Sequence, residues 1–314
     1  MFEIIFLGTS ASAPSIHRGL TSQAILAGPH RYLIDCGEGT QRQILRSGMG
    51  FKKLNRILLT HGHLDHILGL GGLVSTFARW EDMEYLEISG GKPAIERVKA
   101  LIFDVVLRNE KPPMSIHLVD LKPGVIYDAK DYTVSAIPTE HRGSGNFGFV
   151  FEEKTRRPFL VEKAEALGIP SGPDRAKLVR GEAITMNDGR VITPDMILGD
   201  ETKGVKLVHI GDVVRTDNLP EYVRDADTLV IEGTFLDSEA EEAKRFGHIT
   251  AKQAATLALE NGVKSLLLNH VSRRYRERDI IKEARSVFPD AYVVRDLDHF
   301  VMKRGKPLEK KTSD

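Results

Sequence analysis

The sequence holds a single cysteine, Cys36, among 314 residues. No intramolecular disulfide can form, so a disulfide-stapled scaffold is excluded and a reducing cytoplasm is the expected compartment. There is no excess charge of either sign, with 44 Lys and Arg against 44 Asp and Glu. That balance excludes a uniformly basic nucleic-acid coat, and any polyanion has to be held by local basic patches. No apolar run approaches the ~20 residues of a membrane span. The opening Met-Phe-Glu-Ile-Ile-Phe-Leu-Gly lacks the basic stretch of a signal peptide and reads as a first strand. There is no internal repeat. The length suits one large domain or two modest ones, enough for a proper core.

Short apolar runs bounded by Gly, Asp and Pro predict strands near residues 4–7, 24–26, 32–34, 57–59, 86–88, 132–137, 147–151, 205–210, 228–231, 265–268 and 292–294. A 3.6-residue periodicity predicts helices over 40–46, 66–77, 94–107, 238–246, 251–260 and 277–288. Strands interleaved with helices imply an α/β layered domain over residues 1–304. Residues 153–200 are punctuated by Gly and Pro and show no long periodic element, as expected of an irregular functional excursion. Residues 305–314 are polar and charged and are expected to fray.

The strongest chemical signal is Thr60-His61-Gly62-His63-Leu64-Asp65-His66, directly after an apolar run. Strand ends are where α/β sheets place ligands. A loop wound after a strand lets His61, His63, Asp65 and His66 converge, and imidazole with carboxylate suits Zn²⁺ or a similar metal. Further donors stand after other apolar runs: His141 in Thr139-Glu140-His141, Asp212 in Ile210-Gly211-Asp212, and His270 in Leu268-Asn269-His270. Each would project from one strand-end edge. His30, His117, His209 and His299 lack such companions and read as structural.

His-x-His-x-Asp-His with separate His, Asp and His resembles the metallo-β-lactamase superfamily. The resemblance implies an αββα sandwich of two mixed sheets with a dinuclear metal centre at one edge. His61, His63 and His141 would hold one ion, Asp65, His66 and His270 the other, and Asp212 would bridge them. Two such ions can share a hydroxide and clamp a phosphoryl group. A leaving oxygen also needs a proton. His248 in Gly247-His248-Ile249-Thr250 is the candidate acid, with Glu232 in Ile231-Glu232-Gly233-Thr234 as the carboxylate that orients it.

From residue 1 to about 304 the chain resembles the ribonuclease Z family in its short form. Matching pieces are Phe6-Leu7-Gly8-Thr9-Ser10-Ala11, Asp35-Cys36-Gly37-Glu38-Gly39-Thr40-Gln41, the His box and Asn269-His270-Val271-Ser272-Arg273-Arg274-Tyr275. Gly168-Ile169-Pro170-Ser171-Gly172-Pro173 is similar to that family's exosite arm, which implies tRNA contacts at Gly172 and Pro173. The resemblance implies a zinc endoribonuclease (two Zn²⁺ per subunit, Mn²⁺ or Fe as alternatives) that frees the 3′ trailer of precursor tRNA by metal-hydroxide attack. Asp65 would assist the attack. A homodimer, with no membrane association, is implied as well. Arg273 and Arg274, followed by Arg276 and Arg278, would hold backbone phosphates beside the metal edge. Three places depart from the family pattern: Ile231 stands for a His, Ile249 for a Ser, and Pro14-Ser15-Ile16-His17-Arg18-Gly19 lacks a Lys and an Asn. These departures leave open a hydrolase of a small phosphodiester, thioester or sulfate ester. An RNA-binding module with a structural metal and a redox di-iron centre are further alternatives.

Overall fold

The structure, a computed structural model, describes residues 1–79, 83–112 and 114–311. These fall into two compact units, Met1–Glu152 with Val205–Asp314, and Glu153–Gly204. Among the described residues the larger unit holds two mixed sheets. The first contains β1 (Phe2–Gly8), β2 (Ser22–Ala27), β3 (His30–Ile34), β4 (Arg56–Leu58), β5 (Tyr85–Gly90), β6 (Ser115–Asp120), β16 (His299–Met302) and β17 (Glu309–Lys311). Their order is β17-β16-β1-β2-β3-β4-β5-β6. The second contains β7 (Gly124–Asp128), β8 (Tyr132–Thr139), β9 (Asn146–Glu153), β12 (Lys206–His209), β13 (Thr228–Glu232), β14 (Ser265–Asn269) and β15 (Ala291–Val293), in the order β15-β14-β13-β12-β9-β8-β7.

The strands read as near-continuous apolar runs because both faces of each sheet are covered. Alternate residues serve different layers. Phe2, Ile4 and Phe6 of β1 meet Phe149, Phe151, Leu207, Val230 and Leu267 of the second sheet between the sheets. Ile5 and Leu7 face the other way, with Ile44 of the helix Thr40–Arg46, Leu70, Leu73, Val74 and Phe77 of the helix Gly69–Phe77, and Val98 of the helix Lys92–Lys99. On the far side of the second sheet, Leu229, Ile231, Leu266 and Leu268 pack on Ala254, Ala255 and Ala258 of the helix Ala251–Glu260. Ile280 and Ala284 of the helix Glu277–Val287 complete that layer. Three apolar layers between four structural ones make an αββα sandwich.

Two expectations need correction. The segment expected to be irregular folds into helices Val161–Ala166, Pro173–Val179 and Pro194–Ile197 and a small hairpin, β10 (Ile184–Thr185) with β11 (Val191–Ile192). Ala164, Ile169, Leu178, Ile184, Ile192, Ile197 and Leu198 give this unit its own core. The tail expected to fray is pinned as well. β17 pairs antiparallel with β16, Lys311 Nζ lies 2.7 Å from Glu3 Oε2, and Lys310 Nζ lies 2.7 Å from Asp298 Oδ1. Residues 312–314 of that tail lie outside the described residues. Among the described residues no helix is long and apolar enough to cross a membrane.

Candidate metal centre

The four His-box residues follow β4 of the first sheet. The chain turns at His63, which precedes the four-residue helix Leu64–Ile67, so Asp65 and His66 sit in that helix rather than in an open loop. His141, Asp212 and His270 follow β8, β12 and β14 of the second sheet. Both sheets therefore supply side chains to one point, and Asp212 Oδ2 lies at its middle. It stands 3.4 Å from His270 Nε2, 3.5 Å from His66 Nε2, 3.8 Å from His61 Nε2 and 3.9 Å from His141 Nε2. Asp65 Oδ2 is 3.6 Å from His270 Nε2 and 3.8 Å from His66 Nε2. His63 Nδ1 is 3.3 Å from His141 Nε2. Two sets of donor atoms, His61-His63-His141-Asp212 and Asp65-His66-His270, each lie within 4.8 Å of one another.

The imidazoles are aimed by bonds made on their other ring nitrogen. The Nδ1–H of His66 donates to Asp35 Oδ2 at 2.7 Å. Asp35 also accepts from the Thr60 amide at 2.8 Å and from the Thr60 hydroxyl at 2.7 Å. Having donated there, Thr60 Oγ1 accepts from His61 Nδ1 at 3.0 Å. The Nδ1–H of His141 donates to the Gly247 carbonyl at 2.8 Å. Thr234 Oγ1 donates to the His270 carbonyl at 2.9 Å and accepts from His270 Nδ1 at 3.0 Å. Each bond assigns the proton to Nδ1 and leaves the Nε2 lone pair pointing inward.

Those inward atoms supply the test of fit for a metal. His61 Nε2, His66 Nε2, His270 Nε2 and Asp212 Oδ1 are buried and have no hydrogen-bond partner among the described residues. Buried polar atoms are ordinarily paired, and three orphaned imidazole nitrogens around a carboxylate with an orphaned oxygen of its own are what a bound cation would satisfy. Burial pushes His61 well below its usual range and His141 down to about 4, so both stay neutral, the form that ligates. Burial would raise Asp212, but His270 and His66 outweigh it and hold the carboxylate well below the usual range. Burial likewise opposes charge on His66, yet Asp35 and Asp212 lift it well above the ordinary value. Cation binding there displaces a proton.

The centre opens into a cavity of about 350 Å³ lined by His63, Asp65, His141, Asp212 and His248 together with Arg142, Phe235, Phe246, Arg273 and Arg274. His248 Nδ1 lies 3.1 Å from Glu232 Oε2 and 3.9 Å from Asp212 Oδ2. Burial disfavours its charge, but the Glu232 carboxylate prevails and pushes the ring up to about 9. Glu232 Oε1 also accepts from the Val213 amide at 2.8 Å, so one carboxylate braces both His248 and the Asp212 loop. Thr250 and Gln253 form a capping box that fixes where the His248 segment enters the next helix. Arg273 and Arg274 are exposed, and Arg274 Nη2 pairs with Glu239 Oε1 at 2.9 Å.

The sequence departures fall away from the cavity. Ile231 and Ile249 are fully buried in the apolar layer behind the second sheet. In the loop 14–19, Arg18 is committed to structure: Nη1 donates to Thr9 Oγ1 at 2.7 Å and Nη2 to Glu277 Oε2 at 3.0 Å, while Ile16 is 93% exposed. Within the smaller unit Gly172 and Pro173 are exposed, and Pro173 opens the helix Pro173–Val179. Arg175 Nη2 locks the preceding turn by donating to the Ile169 carbonyl at 2.7 Å.

Sequence reading did not single out Asp35, Thr60, Thr234 or the Gly247 carbonyl, although Asp35 stands at a strand end as Asp212 does. His209 is structural as expected, buried with its Nε2 2.9 Å from Gln23 Oε1. His299 lies 2.6 Å from Glu3 Oε2.

Residues 27–157 match the metallo-β-lactamase superfamily. With the sandwich and the donor cluster at its edge, this defines a metallo-β-lactamase-fold protein. A ribonuclease Z of Bradyrhizobium diazoefficiens is 44% identical over 302 residues, covering 96% of this chain and 100% of its own. A ribonuclease Z of Methanothermobacter thermautotrophicus is 38% identical over 298 residues, covering 95% of each chain. The chain belongs to the ribonuclease Z family. The crystal structure of the short form of human tRNase Z matches with a TM-score of 0.67 at 22% identity, over 96% of this chain and 99% of that one, a likeness of fold.

Proposed function

We propose that this chain is a zinc-dependent endoribonuclease that removes the 3′ trailer of precursor tRNA, leaving a 3′-hydroxyl on the tRNA and a 5′-phosphate on the trailer. The observation that carries this reading is the convergence of six side chains from both sheets on Asp212, with Nε2 of His61, His66 and His270 unpartnered among the described residues, in a member of this family. His61, His63 and His141 would hold one ion and Asp65, His66 and His270 the other, with Asp212 shared between them. The imidazole and carboxylate set suits zinc, and manganese or iron can take the same donors. When bound, such a pair makes water acidic enough to attack phosphorus and neutralises charge on the phosphoryl oxygens.

The chain's own groups do the rest. Asp65 faces the cavity, with a side chain 15% exposed, and accepts the hydrogen of the attacking water. The Nδ1–H of His248 is taken by Glu232, so its Nε2 carries the proton for the leaving 3′-oxygen as the bond from phosphorus to that oxygen breaks. Arg142, Arg273 and Arg274 hold backbone phosphates at the mouth. The unit Glu153–Gly204, through Gly172 and Pro173, grips the folded tRNA, and the chain works as a cytoplasmic homodimer.

Incubating the protein with end-labelled precursor tRNA, with and without chelator, and sizing the products tests the reading. One metal-dependent cut that leaves a 3′-hydroxyl is expected. Asp65→Ala and His248→Ala should lose cleavage by ~10²-fold or more while RNA binding persists. Hydrolysis of small diesters with no cut in precursor tRNA would overturn it.

A further inference from the structure

The rim of the cavity carries a feature that the chemistry at phosphorus does not use. Phe246 ends the helix Ala240–Phe246, which Gly247 closes at φ 77° in the left-handed region. The residue is 38% exposed and lines the same cavity as Asp212 and His248. Phe235, only 5% exposed, backs it with a ring parallel within 6° and a centroid 6.3 Å away. Two guanidinium groups attend the Phe246 ring, Arg245 at 4.7 Å and Arg142 at 5.9 Å. Arg142 is itself tied to this turn by a 2.8 Å bond from Nη2 to the Arg245 carbonyl.

A partly exposed aromatic ring among arginines is not needed to hold a phosphate. It is the combination that binds unpaired nucleotides, the ring taking a base face and the cations the backbone. Helix closure fixes the ring's position: Gly247 accepts from His141 Nδ1 and His248 follows at once, so the ring is set in register with the metal edge and the proton donor. The tilted contact of Phe235 with His248, centroids 6.1 Å apart, ties the pair to the side on which the leaving oxygen departs.

We propose that Phe246, backed by Phe235, is the stacking platform for the base immediately 5′ of the scissile phosphate, the last nucleotide kept on the tRNA. The assignment rests on the functional reading above and adds a direction to it. In that reading the leaving 3′-oxygen belongs to this nucleotide and receives its proton from His248, so the base attached to the same ribose lies beside the exposed ring that lines the cavity with His248. Arg245 is exposed and shares Glu242 at 3.2 Å, which lets its guanidinium yield the ring face to a base. Stacking is indifferent to base identity, so the platform itself imposes no strong sequence preference at this place.

The test is a cycle of protein and RNA changes on the metal-loaded full chain. Precursor tRNA is made intact, with an abasic nucleotide 5′ of the cut, or with one 3′ of it, and kcat/KM is measured for the natural chain, Phe246→Ala and Phe246→Trp. On the intact and the 3′-abasic substrates Phe246→Ala should lower kcat/KM at least about fivefold, the low end for one stacked base. On the 5′-abasic substrate that ratio should fall toward one, and Phe246→Trp should keep the natural pattern on all three. An equal loss on every substrate would make the ring a structural one. Collapse of the ratio only on the 3′-abasic RNA would place the wrong nucleotide on it. If the natural chain does not cut the intact precursor, the functional reading itself fails, an outcome separate from these.

Discussion

Asp35 lies behind the donor cluster, yet it decides where two of the donors point. Its backbone is in the left-handed region at φ 56°, uncommon for any residue but glycine and tolerated best by a short polar side chain. The carboxylate is fully buried and takes three donors, the Thr60 amide, the Thr60 hydroxyl and His66 Nδ1. Asp35→Asn keeps the size but offers an amide hydrogen where two hydrogens already point. His66 would then favour the tautomer with its proton on Nε2, the atom that must be bare to ligate. Zinc affinity, measured by competition with a chromogenic chelator, should fall about 10- to 100-fold with the far-ultraviolet circular dichroism unchanged. Unchanged affinity would mean that the bond does not orient the ring.

Between elements, the telling case is the unit Glu153–Gly204. A Cβ placed on Gly204 would lie 2.0 Å from the Glu153 carbonyl oxygen, so the two ends of the insertion are in contact. β9 and β12 already pair at Glu152 and Lys206. Residues 154–203 can therefore be replaced by a short glycine turn without stretching either strand. The remaining chain should still bind zinc and hydrolyse a small phosphodiester, while its affinity for precursor tRNA falls at least about tenfold in a gel-shift titration. Retained affinity would remove this unit from substrate recognition.

The same unit shows what sequence can convey. Strands with both faces covered, such as β1, β13 and β14, announce themselves as apolar runs, and so did the placement of donors after them. The smaller unit's helices span four to seven residues, too short for a 3.6-residue period to repeat, and its core residues stand singly except for Ile197 and Leu198. Edge strands β6 and β7 are partly exposed and β17 is the wholly exposed Glu309-Lys310-Lys311, so they too escape a search for buried apolar runs. The braces on the imidazoles were illegible for another reason. A threonine hydroxyl or a glycine carbonyl has no signature until the fold brings it to a ring nitrogen.

Across the whole molecule, the donor cluster joins the two halves of the sandwich. His61, His63, Asp65 and His66 hang from the first sheet, and His141, Asp212 and His270 hang from the second. A cation held by both sets would belong only to the folded state and would stabilise it by mass action, about 2.7 kcal/mol at a free concentration 100 times Kd. Stripping the metal should lower Tm by roughly 5–10 °C for a unit of this size, and zinc should restore it. In a calorimeter His270→Ala should show a smaller response to chelator. A Tm indifferent to chelation would mean that no ion bridges the sheets.

Cys36 follows Asp35 directly, is fully buried, and has a thiol pushed far up by its surroundings. Its amide donates to the His66 carbonyl at 2.7 Å, and its own carbonyl accepts from Gly69 at 2.8 Å. The lone sulfur is thus sealed inside the turn that steadies the catalytic edge, out of reach of oxidants and alkylating agents while that turn stays shut. Its labelling rate becomes a clock for local opening there, readable without adding a probe anywhere else in the protein.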